Sequence, residues 1–364
     1  MLECANHQGH NNGVNMGNNS STAVNPKTRA INQLSTEVIV NSNEALKAML
    51  DQHLKHKLNP AGQLFAYRKL NAQTESGKNH DADVVYSISR VDNSRIKLWI
   101  RKPLYCAKFP AIDYTLGSAA REVFFGGIAV KLFGKTWAAK TKFNLNGKGA
   151  ISRIVGDNEQ LVLDLDNYLR RDKIKFSQEA QTWLVRTIIF ALIIGDRDIR
   201  TTNFIIGFAD AQTDSPAKFF YKIDHEYTFC LDEEKRQSLH NLMSEILKKP
   251  EILIHLLFCN NYHWNATNGV EFSNVNNALR YYINTMGPNI TCELVLTELK
   301  DMYLRISENN FKLCNQVIND IKTRFETRKN IYTKQELTEI IYPKIEIAYN
   351  NLQNNLSSLK PLIN

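Results

Sequence analysis

Asp198, Asn203 and Asp224 are the residues of this 364-residue chain whose types and spacing best suit chemistry. Asp198 and Asn203 lie in Ile194-Gly195-Asp196-Arg197-Asp198-Ile199-Arg200-Thr201-Thr202-Asn203-Phe204, between a long apolar run and a β-branched one. Asp224 falls near the end of a second strand-like run, Tyr221-Lys222-Ile223-Asp224-His225-Glu226. A carboxylate that accepts or orients a proton, with an amide and a second carboxylate that hold a divalent cation, is the set that phosphoryl transfer from ATP needs. The plainer reading makes Gly195-Asp196 a helix-ending turn with solvated charges. Three correctly spaced polar residues between apolar segments weigh against it.

Taken position by position, the first segment resembles the H-R-D-x-x-x-x-N loop of protein kinases. Asp196 takes the place of the His, Arg197 and Asp198 match, Ile199 replaces Leu, Arg200 falls where Lys often stands, and Asn203 matches the Asn. Asp224 then stands where the Asp of D-F-G would be, followed by His225-Glu226 instead of Phe-Gly. Gly195-Asp196-Arg197 also resembles the G-D-R-x-x-x-N loop of lipid kinases, but in that register the Asn position is Thr201. The chain is thus similar to atypical members of the protein-kinase superfamily, over about residues 60–260.

That resemblance implies an α+β fold of two lobes, a small β-rich N-lobe and a mostly helical C-lobe with a C-terminal helical extension. It implies Asp198 as the catalytic residue, Asn203 and Asp224 as Mg²⁺ or Mn²⁺ ligands, and ATP as phosphate donor. Val84–Ser89 and Ile96–Lys102 read as a hairpin around Asp92-Asn93-Ser94, where a kinase covers the nucleotide phosphates. No glycine occurs between Val84 and Lys102, so a glycine-rich loop with its close backbone approach cannot form there. Lys102 is the candidate for holding the α and β phosphates, since Leu98 and Ile100 share its parity; Lys97 is the alternative. Glu122 is its candidate partner, from a helix expected over Leu116–Phe133 with Ser118 as cap and Gly126-Gly127 as a possible interruption. The competing role for Glu122 is a first-turn acid at the positive end of the helix dipole.

Around these candidates the chain divides into an Asn-rich arm (1–30) expected to be disordered, an N-lobe with an extra N-terminal helix (31–165), and a helical C-lobe with an extension (166–364). The extra helix is read over 43–58, from Leu46, Met49, Leu50 and Leu54, and a first strand at Leu64–Tyr67. Pro103–Asp113 is a linker, Trp137–Phe143 and Gly149–Val155 are strands, and Leu161–Leu169 is a hinge with a short helix. Ser177 caps a buried helix to Ile194 that delivers Asp198, and 207–217 is a polar insertion. Helices follow at Ile252–Phe258, Val275–Met286, Cys292–Ile306, Phe311–Phe325 and Tyr332–Leu356. Gly134-Lys135-Thr136 is no P-loop, because Ala129 stands where the motif needs Gly and a helix precedes it.

The composition, 43% hydrophobic and 23% charged, is that of an ordinary globular protein, and the formal net charge of +8 points to an acidic partner. Lys131, Lys135, Lys140, Lys142, Lys148, Arg153, Arg170, Arg171 and Lys173 form a basic tract suited to compact phosphates. It lacks the aromatic interleaving of an RNA reader, so no nucleic-acid partner is expected. Six scattered cysteines without a C-x-x-C pair argue against a zinc site or disulfide scaffold. No run of eighteen apolar residues predicts a transmembrane span, and Met1–Asn25 has no apolar core of a secretory leader. In overall organisation the chain resembles secreted bacterial effector kinases of the Legionella type that depend on inositol hexakisphosphate. That resemblance implies a type IV secretion route, a host cytoplasmic location, a host protein substrate phosphorylated on Ser or Thr, and a polyanion activator that completes the ATP site. A lipid kinase and a pseudokinase binding module stand as alternatives.

Overall fold

The computed structural model describes residues 115–364 except 135–137, 146–147, 154–161, 170–173, 197, 209–215, 226–227, 229–232 and 259–276; before residue 115 it describes the backbone of four strands. The Asn-rich arm, most of the extra helix, the 103–113 linker, Lys135, Arg170, Arg171, Lys173 and Arg197 lie outside the described residues, as do the side chains of Lys97, Lys102 and Arg153.

The architecture is α+β, with two antiparallel sheets and a larger helical body. The first sheet has six strands: β1 (His56–Leu58), β2 (Gln63–Lys69), β3 (Asp83–Ser89), β4 (Ile96–Lys102), β5 (Thr141–Phe143) and β6 (Ala150–Arg153), in the order β1-β2-β3-β4-β6-β5. The β3–β4 hairpin is the expected one, with Tyr86 opposite Leu98. Residues 56–58 are strand rather than the end of a helix, because they pair with Leu64–Ala66 on β2. β-Branched and aromatic residues suit β3 and β4 to a pleated surface.

Helix α1 (Leu116–Phe133) runs between this sheet and the helical tail. Its cap is Thr115, which accepts the Ser118 amide at 3.2 Å, so Ser118 is not the cap itself. The Gly126-Gly127 pair does not interrupt it. A Cβ on Gly126 would lie 2.9 Å from Thr141 Cβ of β5, and one on Gly127 2.6 Å from a Val317 methyl. The two glycines therefore let α1 approach the sheet on one side and the tail on the other.

The second sheet, β7 (Val162–Asp164), β8 (Phe204–Phe208) and β9 (Ala217–Lys222), is antiparallel throughout. The segment expected as a hinge is its edge strand, followed by the short helix α2 (Leu165–Leu169). Helix α3 (Gln178–Ile193) packs on β9, and its residues from Thr187 to Ile193 are all buried. A helix apolar on every side belongs in a core. Ser177 caps it as expected, accepting the Ala180 amide at 3.1 Å.

The tail comprises α4 (Glu233–Lys248), α5 (Ile252–Phe258), α6 (Asn277–Met286), α7 (Cys292–Thr327), a π-helical turn (Glu336–Ile341) and α8 (Tyr342–Leu359). Left-handed backbone at Asn309, Asn310 and Phe311 breaks α7 into the two helices expected from sequence. The tail contacts both the β5–β6 connection and α3. Tyr332 Oη donates to Gly149 O at 3.1 Å beside the Phe143–Phe325–Tyr332 ring cluster, and Arg186 of α3 forks onto Glu298 of α7 at 2.7 and 2.8 Å.

Candidate active site

Helix α3 ends in a turn that fixes where the chain heads next. Gly195 takes φ 72°, its N–H donates to Leu192 O at 3.0 Å, and the Asp196 N–H donates to Ala191 O at 2.9 Å. This double closure needs a left-handed residue, which glycine supplies without a Cβ clash. Gly195-Asp196 is thus a helix-ending turn, as the plainer reading held, but its charge is not solvated: Asp196 is 0% exposed. The α3 terminus is also tied from the tail, where buried Asn355 of α8 donates from Nδ2 to Ile193 O at 2.9 Å.

The turn places Asp196 under the loop. Its Oδ1 accepts the Asp198 amide at 2.9 Å, and its Oδ2 lies 2.8 Å from Lys222 Nζ and 3.4 Å from His225 Nδ1. Burial alone would push the Asp196 carboxyl up, but the Lys222 ammonium and His225 outweigh it and hold the group below the ordinary carboxylate range. Burial pushes His225 down more than Asp196 raises it, so the imidazole is neutral and stands edge-on to Phe190.

Asp198 is half-buried. Burial pushes its carboxyl up more than Lys222, Arg200 and Asn203 bring it down. Arg200 forks onto it, with Nε 2.8 Å from Oδ1 and Nη2 3.0 Å from Oδ2. Thr201–Asn203 make a single 3₁₀ turn leading into β8. Asn203 is buried, and its Nδ2 donates to Asp198 O at 3.1 Å. Its backbone O accepts the Ile223 amide at 2.9 Å, continuing the Phe204–Lys222 pairing to the doorstep of Asp224. Asp224 is a non-glycine residue at φ 66°.

The structure therefore brings Asp198, Asn203 and Asp224 into one neighbourhood at the ends of α3, β8 and β9. Asn203, whose amide nitrogen donates to Asp198, carries Oδ1, and Asp224 carries a carboxylate. Both are hard oxygen donors of the kind Mg²⁺ or Mn²⁺ accepts, so the donor chemistry fits such an ion. Glu122 stands seven residues into α1, not in its first turn, and is 1% exposed. Ser152 of β6 donates to it at 3.4 Å, and its charge reaches His225. It is thus turned inward toward the sheet and the loop, which removes the dipole explanation. Lys102 pairs with Ala150 on β6, two residues along from the Ile100–Ser152 pair. In the basic tract, Lys131 pairs with Asp320 at 3.3 Å and Lys148 with Glu336, so these two are engaged by the tail. Lys140 and Lys142 flank the start of β5.

Lys222, His225 and Asn355 escaped the sequence reading as site-building residues. Lys222 carried one signal: a lysine closing the otherwise aromatic run Phe219-Phe220-Tyr221, two residues before Asp224. Asn355 carried none, since its partner lies far away in sequence.

No protein-family model and no curated protein matches the chain. Among solved structures, a Helicobacter pylori proinflammatory kinase, CtkA, is similar at 9% identity and a TM-score of 0.33, over 79% of this chain and 96% of that one. At so low a likeness the geometry has to carry any functional reading. Among the described residues no helix is long and apolar enough to cross a membrane.

Proposed function

We propose that this chain is an atypical protein kinase that transfers the γ-phosphate of ATP to a Ser or Thr hydroxyl of a protein. The observation that carries the reading is the joining of Asp198, Asn203 and Asp224 by the Asn203–Asp198 hydrogen bond and the Asn203–Ile223 backbone bond. The hydrogen bond from Asn203 to the Asp198 carbonyl supports the protein-kinase register, in which Asn203 takes the Asn position.

In this mechanism the incoming hydroxyl gives its proton to Asp198 as its oxygen bonds to the γ-phosphorus, while the bond to the β–γ bridging oxygen breaks and ADP leaves. Asp198's upward shift brings a carboxylate closer to the pH at which it works as a base. Arg200, forked onto Asp198, brings a positive charge beside the place assigned to the transferring phosphate, and the carboxylate keeps lone pairs for the incoming hydroxyl. Asn203 and Asp224 would hold the divalent ion, which neutralises phosphate charge when bound. Glu122, buried beside β6, is the partner assigned to a phosphate-holding lysine, with Lys102 first in line.

The basic balance of the chain supports a polyanionic activator of the inositol hexakisphosphate class; an effector role in a host cytoplasm, as a secreted bacterial protein, is the proposal that goes with it. Titration calorimetry with inositol polyphosphates tests this part: heat of binding is expected, and none contradicts it. A pseudokinase is the second reading, favoured by the Arg200 fork that engages both oxygens of Asp198. Radiolabelled ATP with basic protein substrates or phosphoinositide vesicles, Mg²⁺ or Mn²⁺, and with or without polyanions separates the readings. Labelled protein is expected; labelled lipid shifts the class, and no label leaves the binding module.

A further inference from the structure

Among the described residues Lys222 is the one buried lysine. An ammonium has three N–H groups, and here each has a partner: Asp196 Oδ2 at 2.8 Å, Ile223 O at 3.1 Å and Asp224 O at 3.0 Å. The set is complete, so Lys222 has no donor left for a substrate. One acceptor belongs to the turn after α3, and two belong to the exit of β9. On the far side of Asp196, Oδ1 holds the Asp198 amide at 2.9 Å.

A continuous link thus runs from the Asp198 amide through Asp196 and Lys222 to the Asp224 carbonyl. Both ends need restraint. Asp198 is on a loop, and Asp224 is in left-handed backbone that costs a non-glycine residue free energy unless its surroundings hold it there. A buried ion pair is a poor way to gain stability, because its desolvation cost rivals its attraction, and apolar residues of similar volume often serve as well. What a charge pair supplies here, and an apolar pair cannot, is directed bonds to two separate loops.

We propose that Lys222 is a positioning residue that, through Asp196, fixes the Asp198 loop to the Asp224 backbone. It thereby sets the spacing between the proton acceptor and the cation-holding carboxylate. The inference rests on the kinase reading for its consequence in activity, but its mechanical content does not.

The test uses the full chain as Lys222→Met and as Asp196→Asn/Lys222→Met. The single variant leaves the Asp196 charge without its ammonium; the double variant removes that charge. Three readouts are taken: the unfolding midpoint, hydrogen exchange in the segments 195–203 and 219–225, and phosphoryl-transfer rate against Mg²⁺ concentration. The double variant is expected to recover most of the midpoint lost in the single one. It is not expected to recover function: both segments lose protection together, and the Mg²⁺ needed for half-maximal rate rises about 10- to 100-fold. A folded double variant with wild-type exchange and wild-type Mg²⁺ dependence overturns the proposal. If the wild-type protein transfers no phosphate, the kinase reading falls and the exchange readout alone decides: joint loss of protection supports the link, and protection kept in both segments, or lost in only one, overturns it.

Discussion

Two seams hold the molecule together around the candidate site, and they work by opposite physics. Under the loop, between α3 and β9, the contacts are polar and directed: the Asp196–Lys222 ion pair with the neutral imidazole of His225 beside it, all buried. Along α1, between sheet and tail, the contact is close apolar approach, with Gly126 against Thr141 and Gly127 against Val317. Directed bonds fix orientation, and an unpaired member is costly to leave behind. Apolar packing fixes distance and tolerates small shifts. The two seams meet at Glu122, which α1 turns toward the sheet and whose charge reaches His225. Orientation of the carboxylates is thus assigned to one seam, and approach of the helix that carries Glu122 to the other.

The comparison breaks most sharply at the charged seam. Asp198→Asn keeps shape but removes the proposed proton acceptor, and phosphoryl-transfer rate is expected to fall by about two to four orders of magnitude with little change in unfolding midpoint. Asp196→Ala leaves the Lys222 ammonium buried without its carboxylate, and chemical denaturation should show a loss of about 3–5 kcal/mol. At the apolar seam the expected effect is smaller. Gly127→Val drives methyls into Val317 and should cost about 1–3 kcal/mol, relieved in part by Val317→Ala. Relief by Asp196→Asn instead would show that the seams are not separate.

The smallest effect is one of pH. The folded pKa of His225 lies below its unfolded value near 6.5. The unfolded chain therefore binds this proton first, so stability is full above about pH 6.5 and falls as pH drops toward the depressed folded value. His225→Phe should flatten that decline below about pH 6.5, by no more than about 1.4 kcal/mol per pH unit. Asp196 acts in the same direction lower down: its contribution is full above about 3.8 and is lost as pH falls through its depressed folded value.

Helices and strands with a strong period are legible from sequence. The Ser177 cap, the run into Ile194, the β3–β4 hairpin and the two halves of α7 arise from local patterns that tertiary contacts do not need to override. Residues 56–58 mislead because a short Leu-bearing segment fits a helix stripe, whereas pairing with β2 decides the outcome. Gly126-Gly127 reads as an interruption because intrinsic propensity disfavours glycine in helices; the need for close approach on two sides is visible only with the neighbours in place. The spacing of Asp198 and Asn203 foretells their closeness, since both flank one turn. The partnership of Lys222 with Asp196 joins segments 26 positions apart through a side chain that ordinarily seeks water; the aromatic run before it marks Lys222 but not its partner.

The most direct measurement is the rate of γ-phosphate transfer from ATP by the wild-type chain and by Asp224→Ala, with Mg²⁺ or Mn²⁺ and with or without an inositol polyphosphate. The expected result is metal-dependent transfer by the wild type that Asp224→Ala abolishes while the variant keeps its fold. Equal transfer by both proteins, or none by the wild type under any of these conditions, contradicts the assignment of Asp198, Asn203 and Asp224 to one phosphoryl-transfer site.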